Sequence, residues 1–212
     1  MQLIEQSVEL IAPQSFEQGE ILLKRIEMAG RNCWRSEGKI TEDSYKPFIK
    51  NLLKRGHESP LEFGHVMMKI TTSRDVMAEL TRHRIGVAFA IQSQRYVLED
   101  ADHDGIKFIA PVGYDENDIK WGTWTNQMRR SEWAYREMIS HGFKQQDARK
   151  VLPNSTATVI MMDVNIRELL HIVKLRSSSA AYPEMREMIR LMVEQLKTVL
   201  PLLFEEESER DG

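Results

Sequence analysis

Two hydrophobic periods share the chain, and the switches between them outline its elements. Residues 3–11 keep a strand-like character that predicts a first β-strand, ended by Pro13. Ser15 followed by Gln18 has the form of a helix capping box, and Ile21, Leu22, Ile26 and Ala29 then recur at helical spacing. A second helix is predicted over residues 44–55, with Ile49, Leu52 and Leu53 on one face and Gly56 as its stop. Over residues 65–71 the pattern alternates, Val66, Met68 and Ile70 facing one way and His65, Met67 and Lys69 the other, which predicts a half-buried strand. Thr72 with Asp75 predicts a capped helix through Val76, Met77 and Leu80 that delivers Arg82, His83 and Arg84 at its end. Trp121, Trp124, Met128, Tyr135 and Met138 keep near-heptad spacing and predict a long amphipathic helix whose stripe is core or subunit interface. Pro153 ends a helix containing Asp147 and Arg149, and residues 156–164 are rich in β-formers. Asn165 starts another helix with Glu168 in the capping-box position, and the last helix opens at Pro183 and buries Met185, Met188, Ile189, Met192 and Leu196. The sum is an α+β fold, a small central sheet packed with several long helices, in a single domain over residues 1–212.

Composition narrows the function. The chain has 212 residues and a formal net charge of −3. That balance argues against a general nucleic-acid binder, which carries a large excess of Lys and Arg. A lone cysteine, Cys33, excludes an intramolecular disulfide and suits a reducing compartment. The first residues lack the basic and apolar regions of a signal peptide, and no apolar run is long enough to span a bilayer. The expectation is a soluble, cytoplasmic protein with neither nucleic acid nor membrane as partner.

Against that acidic background, the stretch TRHRIGVAFAIQSQRY, residues 81–96, concentrates Arg82, His83, Arg84 and Arg95 around an apolar run. Such a cluster serves as a nucleic-acid surface, a salt-bridge network or a phosphate pocket. The helix dipole explains part of it, since cations are favoured at a helix C-terminus. The apolar run offers few acidic partners, however, and Ser93 and Gln94 add a hydroxyl and an amide. Together with the planar fork of Arg, these groups suit a phosphate monoester. A second cluster follows: Arg167 and His171 are four residues apart and share a helix face, and Arg176 arrives where that helix ends. Residues 100–105 (DADHDG) imitate the start of an EF-hand loop, but its twelfth position is Pro111 instead of Glu, which favours an acidic surface loop. There is no HExxH, no Walker A, no dinucleotide glycine fingerprint and, with one Cys, no zinc-ligand set, so no metal is expected. His65, inside the alternating strand, is expected to be a hydrogen-bonded structural residue.

The Arg-His-Arg triplet, its spacer and the Ser-x-Arg-Tyr that follows resemble the signature of the flavin-dependent thymidylate synthases in its longer-spacer form. RNCWRSE around Cys33, GHESPLEFGH from Gly56, ARKVLPNSTAT from Ala148 and VNIRELLHIVKLR from Val164 are similar to further blocks of that family, in the same order. The resemblance implies a homotetramer with active sites at subunit interfaces, binding FAD and converting dUMP to dTMP. Methylenetetrahydrofolate would be the carbon donor and NADPH the reductant of the flavin. Carried over residue by residue, it implies that Ser59, Arg82, His83, Arg84, Asn165, Arg167 and His171 contact FAD, with His57 close by. It also implies a dUMP pocket of Glu79, Arg82, Ser93, Gln94, Arg95 and Arg149, with Arg176 against the uracil ring as the catalytic residue.

The residue types fit that chemistry. Methylation at C5 requires negative charge to develop on the uracil, and a fixed guanidinium beside N3 and O2 stabilises it most in a water-excluded pocket. The resemblance implies that Cys33 stands in a block the family does not use for covalent attack, and Ser93 has no evident base beside it. Two departures stand out. Ala88 and Ala90 occupy positions where the longer-spacer motif is expected to carry Ser and Asp, and Tyr182 replaces a His before Pro-Glu. Loss of that carboxylate points to lowered turnover or to altered nucleotide choice, such as UMP. A non-catalytic nucleotide-binding relative is the remaining reading.

Overall fold

The computed structural model describes residues 1–99 and 104–204. Six strands, β1 (Gln2–Ile4), β2 (Ser7–Ala12), β3 (His65–Ser73), β4 (Val87–Ile91), β5 (Lys107–Ile109) and β6 (Ala157–Asn165), are joined by eight helices. These are α1 (Phe16–Asn32), α2 (Tyr45–Arg55), α3 (Arg74–Leu80), α4 (Ile119–Ser140), α5 (Gln145–Ala148), α6 (Ile166–Arg176), α7 (Pro183–Val199) and α8 (Pro201–Phe204). A four-stranded sheet has the order β2-β3-β6-β4, and β1 pairs in parallel with β5. The α+β class expected from the sequence is the one observed. The residues of the EF-hand-like loop lie, apart from Asp104 and Gly105, outside those described.

The chain forms two compact units. The first comprises Met1–Ser7, Ile70–Arg82 and Ala90–Ile160. Its core gathers Ile106, Phe108, Met128, Tyr135 and Ala148, with Trp124, Met138 and Leu152 packed around it. Met128 and Tyr135 of the α4 stripe are therefore core residues. The second comprises Val8–Lys69, His83–Phe89 and the described residues from Met161 onward. There α1 packs on α2 and α7, and α6 packs on α7. Met185, Met188, Ile189, Met192 and Leu196 are almost completely buried, as their 3.6-residue spacing predicts. Gly19 allows α1 to approach the end of α7 closely, since a Cβ there would stand 1.8 Å from the Val199 carbonyl oxygen.

Most predicted boundaries hold. Ser15 accepts the Gln18 N–H as the cap of α1, Gly56 ends α2 at φ 65°, and Asn165 accepts the Glu168 N–H at the start of α6. In β3, Val66, Met68 and Ile70 are fully buried, as the alternation requires. Three expectations need correction. The first strand is two strands, because β1 pairs with β5 whereas β2 is an edge of the larger sheet. Gln6, between them, is buried and accepts a hydrogen bond from the Thr72 hydroxyl at 2.6 Å. That bond also explains the second correction: Thr72 stays in β3 with its hydroxyl engaged, and Ser73 takes the cap position of α3, its hydroxyl donating to Asp75. Third, the segment with Asp147 and Arg149 is only a four-residue helix continued by one 3-10 turn, Arg149–Val151.

Candidate active site

The second unit brings one set of predicted side chains together. His83 is buried, and its Nδ1 lies 2.8 Å from Glu168 Oε1. Its Nε2 accepts the Nε–H of Arg176 at 3.2 Å. The His171 ring packs edge-on against His83, with ring centroids 5.8 Å apart. Because an Arg Nε–H can only donate, His83 Nε2 must carry the lone pair, and Nδ1 must hold the proton that it shares with Glu168. His83 is thus a neutral imidazole between a carboxylate and a guanidinium.

The backbone explains how His83 reaches that place. Gly86 turns the chain at φ 71°, and its carbonyl accepts the N–H of Asn165 at 2.8 Å. A Cβ at Gly86 would stand 2.2 Å from Asn165 Nδ2, so only glycine fits both the conformation and the contact. In the first turn of α6, Arg167 donates to Glu62 at 2.7 Å and to Glu58 at 3.2 Å, which ties that helix to the turn carrying Ser59. His57, Ser59 and Arg84 are exposed. His65 is hydrogen-bonded, as predicted, to Asp163 at 2.8 Å, but it is exposed.

His83, Glu168 and His171 also bring three ligand-type atoms within 4.8 Å of one another. Glu168 and His171, three apart on α6, have the Glu-x-x-His spacing of some metal sites, but the third member, His83, lies 85 positions before Glu168, and no local pattern announces it. Both nitrogens of His83 are engaged, and the Arg176 guanidinium sets a fixed positive charge beside it. The arrangement serves a hydrogen-bonded relay better than a cation.

The first unit holds the other predicted residues: Glu79, Arg82, Ser93, Gln94, Arg95 and Arg149. Ser93 Oγ accepts the Arg95 N–H in a tight turn after β4, and the Arg95 guanidinium donates to Gln146, three residues before Arg149. Gln94 is buried, and among the described residues no group meets hydrogen-bond geometry with its side-chain nitrogen, although the Glu99 carboxyl is close enough to feel the amide. Arg82 and Arg149 are exposed, as is Arg84 in the second unit, and among the described residues no carboxylate pairs with any of the three. Guanidinium groups in that state suit oxyanions. Ala88 and Ala90 are both exposed on β4, an edge strand, where alternate residues share a face.

Arg74 was missed by sequence reasoning. It opens α3, donates to Thr158 Oγ1 at 3.3 Å and lies near Glu99 and Arg149. Burial lowers its pKa, and Arg149 lowers it further against the opposing effect of Glu99. Burial in turn raises the Glu99 carboxyl above the ordinary glutamate range, against the opposing effects of the Gln94 amide and Arg74. A folded-state value above the unfolded one means that the native protein binds the proton more tightly. The associated stability is present at low pH and is lost as pH rises through the raised value. Urea midpoints are therefore expected to carry a component that falls with pH just above the ordinary glutamate pKa, and Glu99→Gln is expected to lack it. An unchanged pH profile in that variant would remove Glu99 as its source.

One unit of this α+β fold exposes Arg82 and Arg149, and the other holds a buried imidazole relay beside Arg176, donor sets of the class suited to small anionic ligands. Comparison with known proteins gives the class its family. Residues 22–202 match the family model described as "Thymidylate synthase complementing protein". The chain is 32% identical over 166 residues to a protein named flavin-dependent thymidylate synthase from Pyrococcus abyssi, covering 77% of this chain and 68% of the relative. It is 31% identical over 186 residues to one from Geobacter sulfurreducens, covering 84% and 79%. A crystal structure of a UMP/dUMP methylase, PolB from Streptomyces cacaoi, bound with 5-Br dUMP, shares the fold with a TM-score of 0.77 at 22% identity, covering 97% and 96%. The chain belongs to the flavin-dependent thymidylate synthases, a family of methyltransferase enzymes.

Proposed function

We propose that this protein methylates C5 of a uridylate, converting dUMP to dTMP with methylenetetrahydrofolate as carbon donor and FAD reduced by NADPH. The observation that carries the reading is the relay Glu168–His83–Arg176, which holds one edge of a guanidinium on a buried imidazole inside a chain of this family. The donor set of the second unit fits a flavin dinucleotide: the exposed Arg84 offers a cation for a diphosphate, and the Ser59 hydroxyl, the imidazoles of His57 and His171 and the Arg167 N–H groups beyond those bound to Glu58 and Glu62 offer hydrogen-bond donors for it and for a polar ring edge. With Asn165 and His83 they would hold FAD, which supplies the hydride chemistry that side chains cannot. Arg82, Ser93, Gln94, Arg95 and Arg149, with Glu79, would bind and orient the nucleotide, the guanidiniums on its phosphate and the buried Gln94 amide satisfied by it. Arg176 would face the uracil and stabilise the negative charge that makes C5 nucleophilic, without itself exchanging a proton. A homotetramer with sites at subunit interfaces is part of this reading.

A second reading has its own observation. Ala88 and Ala90 present two methyl groups on an exposed face where the motif is expected to carry Ser and Asp, and crystal structures of the UMP/dUMP methylase PolB hold 5-Br dUMP in one case and 5-Br UMP in another. Relaxed choice between UMP and dUMP is consistent with that loss of polarity. One experiment addresses both readings. Purified protein is expected to take up FAD and turn yellow, and to form dTMP from dUMP with NADPH and methylenetetrahydrofolate. Equal or greater product from UMP would transfer the proposal to the second reading. A colourless protein that rejects FAD and methylates neither nucleotide would end both.

A further inference from the structure

Glu168 stands three residues after the cap residue Asn165, where a capping-box acid normally reaches back to the cap's own backbone N–H. Half of that box is present: Asn165 Oδ1 accepts the Glu168 N–H at 2.8 Å. The reciprocal half is missing, because the Asn165 N–H already donates to the Gly86 carbonyl at 2.8 Å. The turn at Gly86 thus satisfies the donor that Glu168 would have served, and its carboxylate goes to His83 Nδ1 instead. The side chains of both partners are well shielded, with 5% of His83 and 17% of Glu168 exposed, so little water competes for the bond.

The consequence is chemical. A neutral imidazole in water has no strong reason to keep its proton on Nδ1. If it moved to Nε2, that N–H would face the Arg176 Nε–H at 3.2 Å, donor against donor. A doubly protonated ring would add a second positive charge to the same clash. Only the Nδ1–H form accepts Arg176, and the Glu168 carboxylate, which can only accept, holds the proton on Nδ1 from the opposite side of the ring. We propose that Glu168 is a positioning residue for Arg176, acting through the tautomer of His83. The inference rests on the reading that Arg176 serves the uridylate, but its structural half does not depend on activity.

The test uses the flavin-loaded protein labelled with 15N at histidine side chains and arginine Nε. In the wild type, His83 is expected to show a protonated Nδ1 and an unprotonated Nε2, and the Arg176 Nε–H to be shifted by its hydrogen bond. Glu168→Gln, whose carbonyl can still accept from Nδ1–H, should keep that pattern and most of the activity. Glu168→Leu should move the proton to Nε2, release the Arg176 signal and lower kcat/KM for the nucleotide by about 10- to 100-fold, a typical effect of misplacing a reacting group. A wild-type His83 that carries its proton on Nε2, which needs no variant to observe, would overturn the proposal, as would a Glu168→Leu protein with an unchanged tautomer. If no preparation methylates a uridylate, the functional reading fails, and the tautomer readings alone still decide whether Glu168 sets His83 and Arg176.

Discussion

Arg176→Lys is expected to lower kcat/KM for uridylate methylation by about 10²- to 10³-fold, the range seen when a group aimed at developing charge is removed, with little loss of stability. Lysine keeps the positive charge but not the geometry. The guanidinium is a planar fork whose Nε–H rests on His83 Nε2, so its plane is set by the ring beside it. An ammonium is a compact, strongly hydrated charge on a flexible stem and cannot both occupy that contact and present a flat edge to a flat base. Arg176 ends α6 at a half-buried position, so the exchange removes no large apolar contact. Initial rates with saturating FAD, set beside urea denaturation curves, separate the two effects. Near wild-type turnover in Arg176→Lys would mean that charge alone suffices and that the His83 contact has no catalytic consequence.

Gly86→Ala carries the largest structural effect. An L-residue held at φ 71° costs about 1–2 kcal/mol. The added Cβ would also lie 2.2 Å from Asn165 Nδ2, which must retreat, and loss of a side-chain cap costs a further ~1 kcal/mol. Destabilisation of about 2–3 kcal/mol follows from the sum of these costs, measured by chemical denaturation. Gly56 supplies the control. It has nearly the same conformation, φ 65°, but nothing lies within 4 Å of its Cβ position, so Gly56→Ala should show only the conformational part. Equal losses at the two glycines would show that the contact with Asn165 contributes nothing. Activity should fall more steeply in Gly86→Ala, because the turn that would be strained delivers His83 and releases Glu168 from the helix cap.

Much of this architecture was legible in the sequence because the signals are local. Alternation in β3 gave its buried face, Gly56 its helix stop, Asn165 its cap, and the methionine spacing of α7 its core stripe. What escaped depends on partners far along the chain. The break between β1 and β2 reflects Gln6 meeting Thr72, 66 positions away, and the same bond moved the start of α3 from Thr72 to Ser73. Glu168 looked like an ordinary capping acid because its alternative partner, His83, lies 85 positions earlier. Arg74 carried no motif at all, and its significance comes from burial near Glu99 and Arg149. For Gly86 the signal was present, a glycine closing the Arg-His-Arg segment, but only the nearby Asn165 makes it necessary.

Helix α6 begins at the cap that meets Gly86 and ends at the guanidinium that meets His83. At 1.5 Å and 100° per residue, its eleven residues act as a gauge block of roughly 16 Å with a set angular phase. Substitutions along its outer face leave both ends in register, whereas one residue gained or lost within it would rotate Arg176 by about 100° away from the imidazole. Length, more than composition, therefore decides whether the two ends of this segment meet their partners together.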